Sequence, residues 1–162
     1  MISLIASVDK NNGIGADGGP LWTQGLPANS QRFRELTAGG TVIMGRKAYE
    51  TFHGTLPGRQ NIVVSHKLMA QEGVTFAHSL KEAYREANTD NINIVGGANI
   101  FSQAINDADR IYLTQVDKEF DNVDAYFPYI DKLQWREVRR EDFKADGRNM
   151  FDFSFVVYER IK

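Results

Sequence analysis

Two hydrophobic periods, used in different parts of the chain, constrain its fold more than any other feature. Short apolar runs rich in β-branched residues recur at positions 1–8, 42–44, 61–64, 74–76, 92–95 and 111–116. Between them lie segments with helical spacing. Ser79 opens one of these, with Glu82 at the capping-box offset and Leu80, Ala83, Tyr84 and Ala87 on one face. Residues 98–105, after Gly96-Gly97, place Ile100, Phe101, Ala104 and Ile105 on one side, and a third helix is predicted over 28–37 with Phe33, Leu36 and Thr37 turned inward. Short apolar strands joined through helices predict a mostly parallel sheet covered on both faces. The tail changes period. Phe151, Phe153, Phe155 and Val157 alternate with Asp152, Ser154, Val156 and Tyr158, the mark of a half-buried strand. With a preceding strand over 135–143 and a turn over 144–149, it predicts an antiparallel hairpin at the sheet edge. No repeat, linker or low-complexity tract interrupts residues 1–162, which read as one domain.

Composition narrows the chemistry. The 162 residues are 42% hydrophobic and 25% charged, which excludes a disordered or fibrous chain. By size scaling, about two-thirds of the surface can leave water, enough for one self-sufficient core. The absence of cysteine removes disulfides, thiolate metal sites and a cysteine nucleophile. The three histidines, His53, His66 and His78, have no ligand-like spacing, so no metal is expected. A net charge of −2 argues against nucleic acid as partner. The first apolar run lacks a basic segment before it, and no stretch reaches the roughly 18 apolar residues of a membrane span. A soluble cytoplasmic protein, monomeric and acting on small molecules, is expected.

Four segments carry candidate chemistry. Gly13-Ile14-Gly15-Ala16-Asp17-Gly18 spells the G-x-G-x-x-G pattern, but Gly19-Pro20-Leu21-Trp22 follows where the dinucleotide fingerprint needs a helix. The segment reads better as a mobile lid, with Leu21 and Trp22 as an apolar cover that excludes water. Gly96-Gly97 ends an apolar strand and opens a helix at once, so backbone amides and the helix dipole can face an anion. Gly45-Arg46-Lys47 and Ser65-His66-Lys67 also follow strands; if neighbouring, they suit a phosphate monoester such as the 2′-phosphate of NADPH. Read singly, each pair of cations is an ordinary solvated loop. Leu56-Pro57-Gly58-Arg59 is a turn that leaves Arg59 free to clamp a carboxylate, or simply to sit in water.

Taken in order, these residues resemble the dihydrofolate reductase family from end to end. The matching stretches are Met1 to Ala6, Gly13-Ile14-Gly15, Leu21-Trp22, Leu26-Pro27, Val42 to Arg46, Leu56 to Arg59, Val95-Gly96-Gly97, Tyr112-Leu113-Thr114 and Phe127-Pro128. The resemblance implies an α/β fold with an eight-stranded, mostly parallel sheet, flanking helices and a C-terminal antiparallel hairpin. It implies NADPH-dependent reduction of 7,8-dihydrofolate to tetrahydrofolate by hydride transfer. Ile5, Ser7, Asn29, Phe33, Thr51, Phe52, Leu56 and Thr114 would line the pterin and benzoyl pocket, and Arg59 would bind the glutamate carboxylate. Ser7, Ile14, Gly15, Gly45 and Ala48 would border the cofactor, Arg46, Lys47, Ser65 and His66 its 2′-phosphate region, and Gly96, Gly97, Ala98, Asn99, Ile100 and Phe101 its pyrophosphate and nicotinamide. Leu21 and Trp22 would close over the reacting rings, while Asn29 and Thr114 would act under the pterin. Antifolate-like molecules would compete there.

The departure that matters is Asn29, where the family carries an aspartate or glutamate. A carboxylate accepts two hydrogen bonds from the pterin edge, whereas an amide offers one acceptor and one donor group. Three origins stay open: an introduced Asp-to-Asn replacement, natural drift to a weak or repurposed reductase, and a displaced carboxylate. Asp17 and Glu35 are nearest in sequence, but Glu35, six residues on, falls nearly opposite on a helix. Asparagine near a helix start is also a favoured cap. A reductase of a related pterin or pyrimidine, or a non-catalytic folate or NADPH binder, are the alternative functions. Smaller departures are Ala98 for a third glycine, Phe101 for a tyrosine, Ala48 for a threonine, an apparent insertion at Thr23-Gln24-Gly25, and Pro20 before rather than after the lid residue.

Overall fold

The apolar runs are the inner strands of a sheet, where Leu4, Val8, Ile43, Ile62, Ile94 and Ile111 have no exposed surface. The computed structural model describes residues 1–16, 19–21, 25–51, 55–67 and 69–162. Its elements in order are β1 (Ile2–Val8), β2 (Gly13–Ala16), β3 (Gly19–Pro20), α1 (Pro27–Thr37), β4 (Thr41–Gly45) and α2 (Arg46–Thr51). There follow β5 (Gln60–Val64), β6 (Val74–Ala77), α3 (Leu80–Glu86), β7 (Ile92–Ile94), α4 (Ala98–Ala104), β8 (Arg110–Val116), β9 (Ala125–Tyr126), β10 (Trp135–Phe143) and β11 (Phe153–Arg160). Eight strands form one sheet in the order β10-β11-β8-β1-β7-β4-β5-β6. The six from β8 to β6 run parallel, and β11 and β10 add antiparallel to β8 as the expected hairpin. No described helix is long and apolar enough to cross a membrane.

Register decides what each face of the sheet does. In the β1–β8 pair, Leu4 lies beside Ile111 and Ala6 beside Leu113; these side chains join Ile94, Ile100, Phe101 and Ala104 in the main core. The alternate residues point the other way, so Ser7 is brought beside Thr114. That pairing places two hydroxyls side by side beneath α1.

Several elements differ from the sequence reading. The Arg46-Lys47 segment, read as a charged loop, is the six-residue helix α2, with no buried side chain to give it a hydrophobic signature. Gly13–Ala16, read as a lid loop, is strand β2 in a small sheet ordered β3-β2-β9. The next described element is β3 rather than the helix that the dinucleotide fingerprint needs, and the turn before β2 is held by Asp9, whose Oδ1 accepts from the N–H of Asn11 and Gly13 and whose Oδ2 accepts from that of Phe120. Phe33 and Leu36 are half-buried rather than core residues, because their face of α1 borders a cleft. Strand β11 begins at Phe153, two residues later than the alternation suggests, since Asp152 is taken up by the loop, accepting from the N–H of Ala145.

Helix α1 is capped from a distance. Leu26 occupies its N-cap position and supplies no side-chain bond, and Asn29, three residues later, is no cap at all. The missing acceptor comes from the β10–β11 loop, where Asn149 Oδ1 accepts from the N–H of Ala28 at 3.1 Å and the Met150 N–H bonds the Gly25 carbonyl at 2.6 Å. Asp146 Oδ1 in turn accepts from the N–H of Asn149 and of Arg148, and these bonds hold its carboxyl below the usual carboxylate range. Replacing Asn149 by alanine should therefore lower stability by about 1 kcal/mol, the usual worth of a cap. Urea unfolding should show a lower midpoint with an unchanged slope; an unchanged midpoint would show that the distant cap does no work.

Candidate active site

The C-terminal ends of the parallel strands open into a cleft of about 1220 Å³. This is where ligands bind in open α/β sheets, and the space exceeds the upper end of about 1,000 Å³ for a single small ligand. One wall is α1, which presents Asn29, Arg32, Phe33 and Leu36 above Ile5 and Ser7 of β1 and Tyr112 and Thr114 of β8. The other is built from the ends of β4, β5, β6 and β7 with the starts of α2, α3 and α4. Ile14, Gly15 and Ala16 of β2, with Asp124 and Ala125, form the rim between them.

At the α1 end the polar centre is Asn29. Its Oδ1 accepts from the Ser7 hydroxyl at 3.0 Å and from the Thr114 hydroxyl at 2.9 Å. Both bonds fall on one atom, so the Nδ2 amino group is what the side chain leaves for the cleft. Both partners are hydroxyls, able to donate or accept. The same frame therefore accommodates the amide turned over, with Nδ2 donating to the two oxygens and Oδ1 facing the cleft.

Farther along α1, Arg59 is fixed by its own turn. Its Nε donates to the Thr37 hydroxyl at 2.7 Å and its Nη1 to the Pro57 carbonyl at 2.7 Å. Buried Asn61 holds the turn itself, donating to the Leu56 and Arg59 carbonyls and accepting from the Leu56 N–H. Gly58, at φ +76°, supplies the left-handed residue that the turn needs. Among the described residues no hydrogen bond is made by the other Nη of Arg59.

In the opposite wall, the Gly45 N–H bonds the Gly96 carbonyl at 2.8 Å, tying the end of β4 to the end of β7. Gly96 has φ +126°, where a side chain would be strained and its Cβ would touch the Phe101 ring at 3.6 Å. A Cβ on Gly97 would meet nothing within 4 Å, so its backbone lies open to the cleft. The first amides of α4 have no intrahelical acceptor. Around the cleft stand five cations, Arg32, Arg34, Arg46, Lys47 and Arg59, against one described carboxylate, Asp124. Such a surplus in a near-neutral chain suits polyanionic ligands.

A family model described as dihydrofolate reductase matches residues 1–160. Dihydrofolate reductase of Haemophilus influenzae is 39% identical over 159 residues, covering 98% of this chain and 98% of the relative. The type 3 enzyme of Salmonella typhimurium is 39% identical over 162 residues, covering 99% and 98% respectively, and that of Bacillus subtilis 35% identical over 162, covering 99% and 95%. Among solved structures, dihydrofolate reductase from Enterococcus faecalis complexed with NADP(H) and RAB-propyl superposes with a TM-score of 0.88 at 29% identity, covering 100% of this chain and 97% of that one. The chain belongs to the dihydrofolate reductase family.

Most residues that the family resemblance singled out line this one cleft: Ile5, Ser7, Ile14, Gly15, Asn29, Phe33, Gly45, Arg46, Lys47, Ala48, Thr51, Leu56, Arg59, His66, Gly96 through Phe101, and Thr114. Two do not. Ser65 is buried beneath the strand end, where its hydroxyl accepts from the Lys67 N–H and contacts the Met69 sulfur, so its job is to shape the turn. Leu21 is half-buried and is not among the described lining residues. Trp22, Phe52 and Asp17 lie outside the described residues. Arg46 is partly committed, bonding Glu50 at 3.0 Å along its own helix. Glu35 faces away from the cleft and is bonded by Gln31, which removes it as a displaced acid.

The cleft is also lined by residues that the dihydrofolate reductase motifs did not single out, His78, Ser79 and Arg32 among them. His78 and Ser79 sit at the end of β6, the position next to His66 at the end of β5; the rule that parallel strand ends carry the site would have found them. Arg32 is one helical turn from Asn29, and the 3.6-residue period would have put it on the same face. Burial lowers its pKa from the ordinary arginine value, partly opposed by Glu141 and Tyr112. The hydroxyl frame makes a direct prediction for binding. Thr114→Val removes one of the two bonds on Asn29, worth about 1 kcal/mol, so the dissociation constant for folate should rise about fivefold. Fluorescence titration with folate would measure it, and an unaltered constant would detach Thr114 from the ligand end of the cleft.

Proposed function

We propose that this protein reduces 7,8-dihydrofolate to tetrahydrofolate with NADPH, and that the amide at position 29 makes it slow for its family. The observation carrying this reading is the joining, in one cleft, of the Ser7–Asn29–Thr114 knot, the anchored Arg59, and a glycine turn bordered by Arg46, Lys47 and His66. Its site residues act as a set in one space. Cytoplasmic work as a monomer on two small molecules, with neither nucleic acid nor membrane as partner, accords with the near-neutral charge.

The strand-end wall fits the cofactor. The open backbone at Gly97 and the free amides at the start of α4 match a pyrophosphate. Lys47, His66 and the partly free Arg46 match the 2′-phosphate, and Gly45 and Ala48 border the ribose side. When bound there, the nicotinamide supplies the hydride that the pterin's imine carbon gains, and this is the cofactor's own chemistry.

The chain's residues position and protect. Ile5, Phe33 and Leu56 give the pterin and benzoyl rings apolar surface, and Arg59 takes the glutamate carboxylate as a paired donor. The β2–β9 rim, with Ile14 and Gly15, limits water over the reacting edge. Reacting carbons need to be held about 3–3.5 Å apart, which contributes much of the acceleration. The pterin edge offers a ring N–H and a 2-amino group, both donors. Asn29 meets them only with its amide turned over, and then one acceptor faces two donors. A lost charge-assisted bond of about 1.5–3 kcal/mol weakens binding roughly ten- to a hundredfold. The proton on the ring nitrogen comes from solvent with no carboxylate at position 29 to favour it, removing up to about 10²–10⁴ in rate.

Asn29→Asp should raise turnover with dihydrofolate by about tenfold or more, followed as NADPH absorbance. With asparagine in place the rate should keep rising as pH falls, because solution acid protonates the substrate unaided; with aspartate it should level off at an enzyme pKa. An unchanged rate in the variant, or a plateau near neutrality in the parent, would contradict the assignment. NADPH binding measured by calorimetry without any oxidation would instead favour a non-catalytic binder.

A further inference from the structure

A second polar group sits at the α1 end of the cleft, unused by the reaction described above. Arg32 stands three residues after Asn29, and both side chains line the cleft. Its guanidinium carbon lies 4.2 Å from the centroid of the Phe155 ring and 5.7 Å from that of Tyr112. Nη1 is fully buried and has no hydrogen-bond partner among the described residues. The charged and titratable groups facing it are Tyr112 on β8 and Arg139 and Glu141 on β10. Glu141 is already paired with Arg139 at 2.7 Å, and Phe155 on β11 offers only its ring face. The aromatic rings stabilise the cation in part and the charge of Glu141 acts on it, but no carboxylate among the described residues forms an ion pair with it.

We propose that Arg32 sets the sign of the charge at the polar end of the cleft, so that this protein accepts a heterocycle whose edge toward Asn29 is neutral or electron-rich and rejects one protonated on that edge. The inference rests on the pterin reading of the cleft. Position 29 contributes no charge, and the one described lining carboxylate, Asp124, belongs to the rim rather than to α1. Arginine stays protonated throughout the working pH range, even though burial here pulls its pKa down. A ring that gains a proton beside this end therefore meets a cation held in no described ion pair, in a partly desolvated wall, where like charges repel far more than in water. A lactam edge, with its carbonyl oxygen, meets the same cation favourably. The Asn29–Arg32 pair thus reverses the preference that a carboxylate at position 29 would create.

Two probes that differ in this one property test it by equilibrium binding, without turnover. A 2,4-diamino-5-benzylpyrimidine takes up a proton on a ring nitrogen near neutrality, while its 2-amino-4-oxo analogue stays neutral. Affinities measured by calorimetry at about pH 9 and about pH 6 should show the diamino probe weakening about tenfold or more on acidification. The oxo probe reports any pH-dependent change of the protein itself, and its change is subtracted. In Arg32→Met the tenfold loss should shrink to about threefold or less, and in Arg32→Lys it should persist. Retained binding of the oxo probe shows that each variant is folded. A diamino probe that binds the parent more tightly when protonated, or a loss unchanged in Arg32→Met, would overturn the proposal while leaving the pterin site standing. Failure of both probes to bind at either pH would remove the pterin site and the proposal with it.

Discussion

The cleft depends on two hydroxyls held side by side. Ser7 and Thr114 are register partners on adjacent parallel strands, so the distance between them is set by the sheet and not by their own rotamers. Asn29 lies across both, one oxygen accepting from each. That grip fixes the roll of α1, and with it the positions of Arg32, Phe33 and Leu36 along the wall. A buried sheet supplies precision here that a loop would not. The helix is then held at its start by Asn149 and near its end through Thr37, which receives Arg59.

Electrostatics divides the cleft into ends. Five cations against one described carboxylate make it positive in a chain whose total charge is −2, so the surplus is local and belongs to the ligands. Most of these cations stand at the mouth or at strand ends, where solvent moderates them. Arg32 differs because part of its guanidinium is out of water with no hydrogen-bond partner among the described residues. A group of that kind costs stability unless something else offsets it, and aromatic rings do so only in part.

Much of the fold was legible because the inner strands are buried on both faces and read as unbroken apolar runs. The β10–β11 hairpin was legible for the opposite reason: Phe153, Phe155 and Val157 keep a strict period of two. What escaped were elements without a periodic signature. Helix α2 buries no side chain, and β2 is defined by a two-residue partner more than a hundred positions away. The remote cap from Asn149 has no local trace, since its acceptor is 121 residues from the amide it serves. Order-preserving motifs led to residues that mostly line one cleft, while Ser65 lies outside that lining with its hydroxyl bonded in its own turn. Arg32 left no motif of its own, since an arginine on an amphipathic helix reads as solvated and only its one-turn spacing from Asn29 places it on the cleft face.

The central claim is that the side-chain amide of Asn29 meets the polar edge of the pterin. Nuclear magnetic resonance of the 15N-labelled protein tests it most directly, with the Asn29 Nδ2 signals assigned through their loss in Asn29→Asp. Adding folate to the NADP⁺-loaded protein should shift that pair of resonances strongly, as the amide turns over and its Nδ2 donates to the Ser7 and Thr114 hydroxyls. Signals that stay in place while those of Phe33 and Arg59 move would put the ring edge elsewhere and contradict the account.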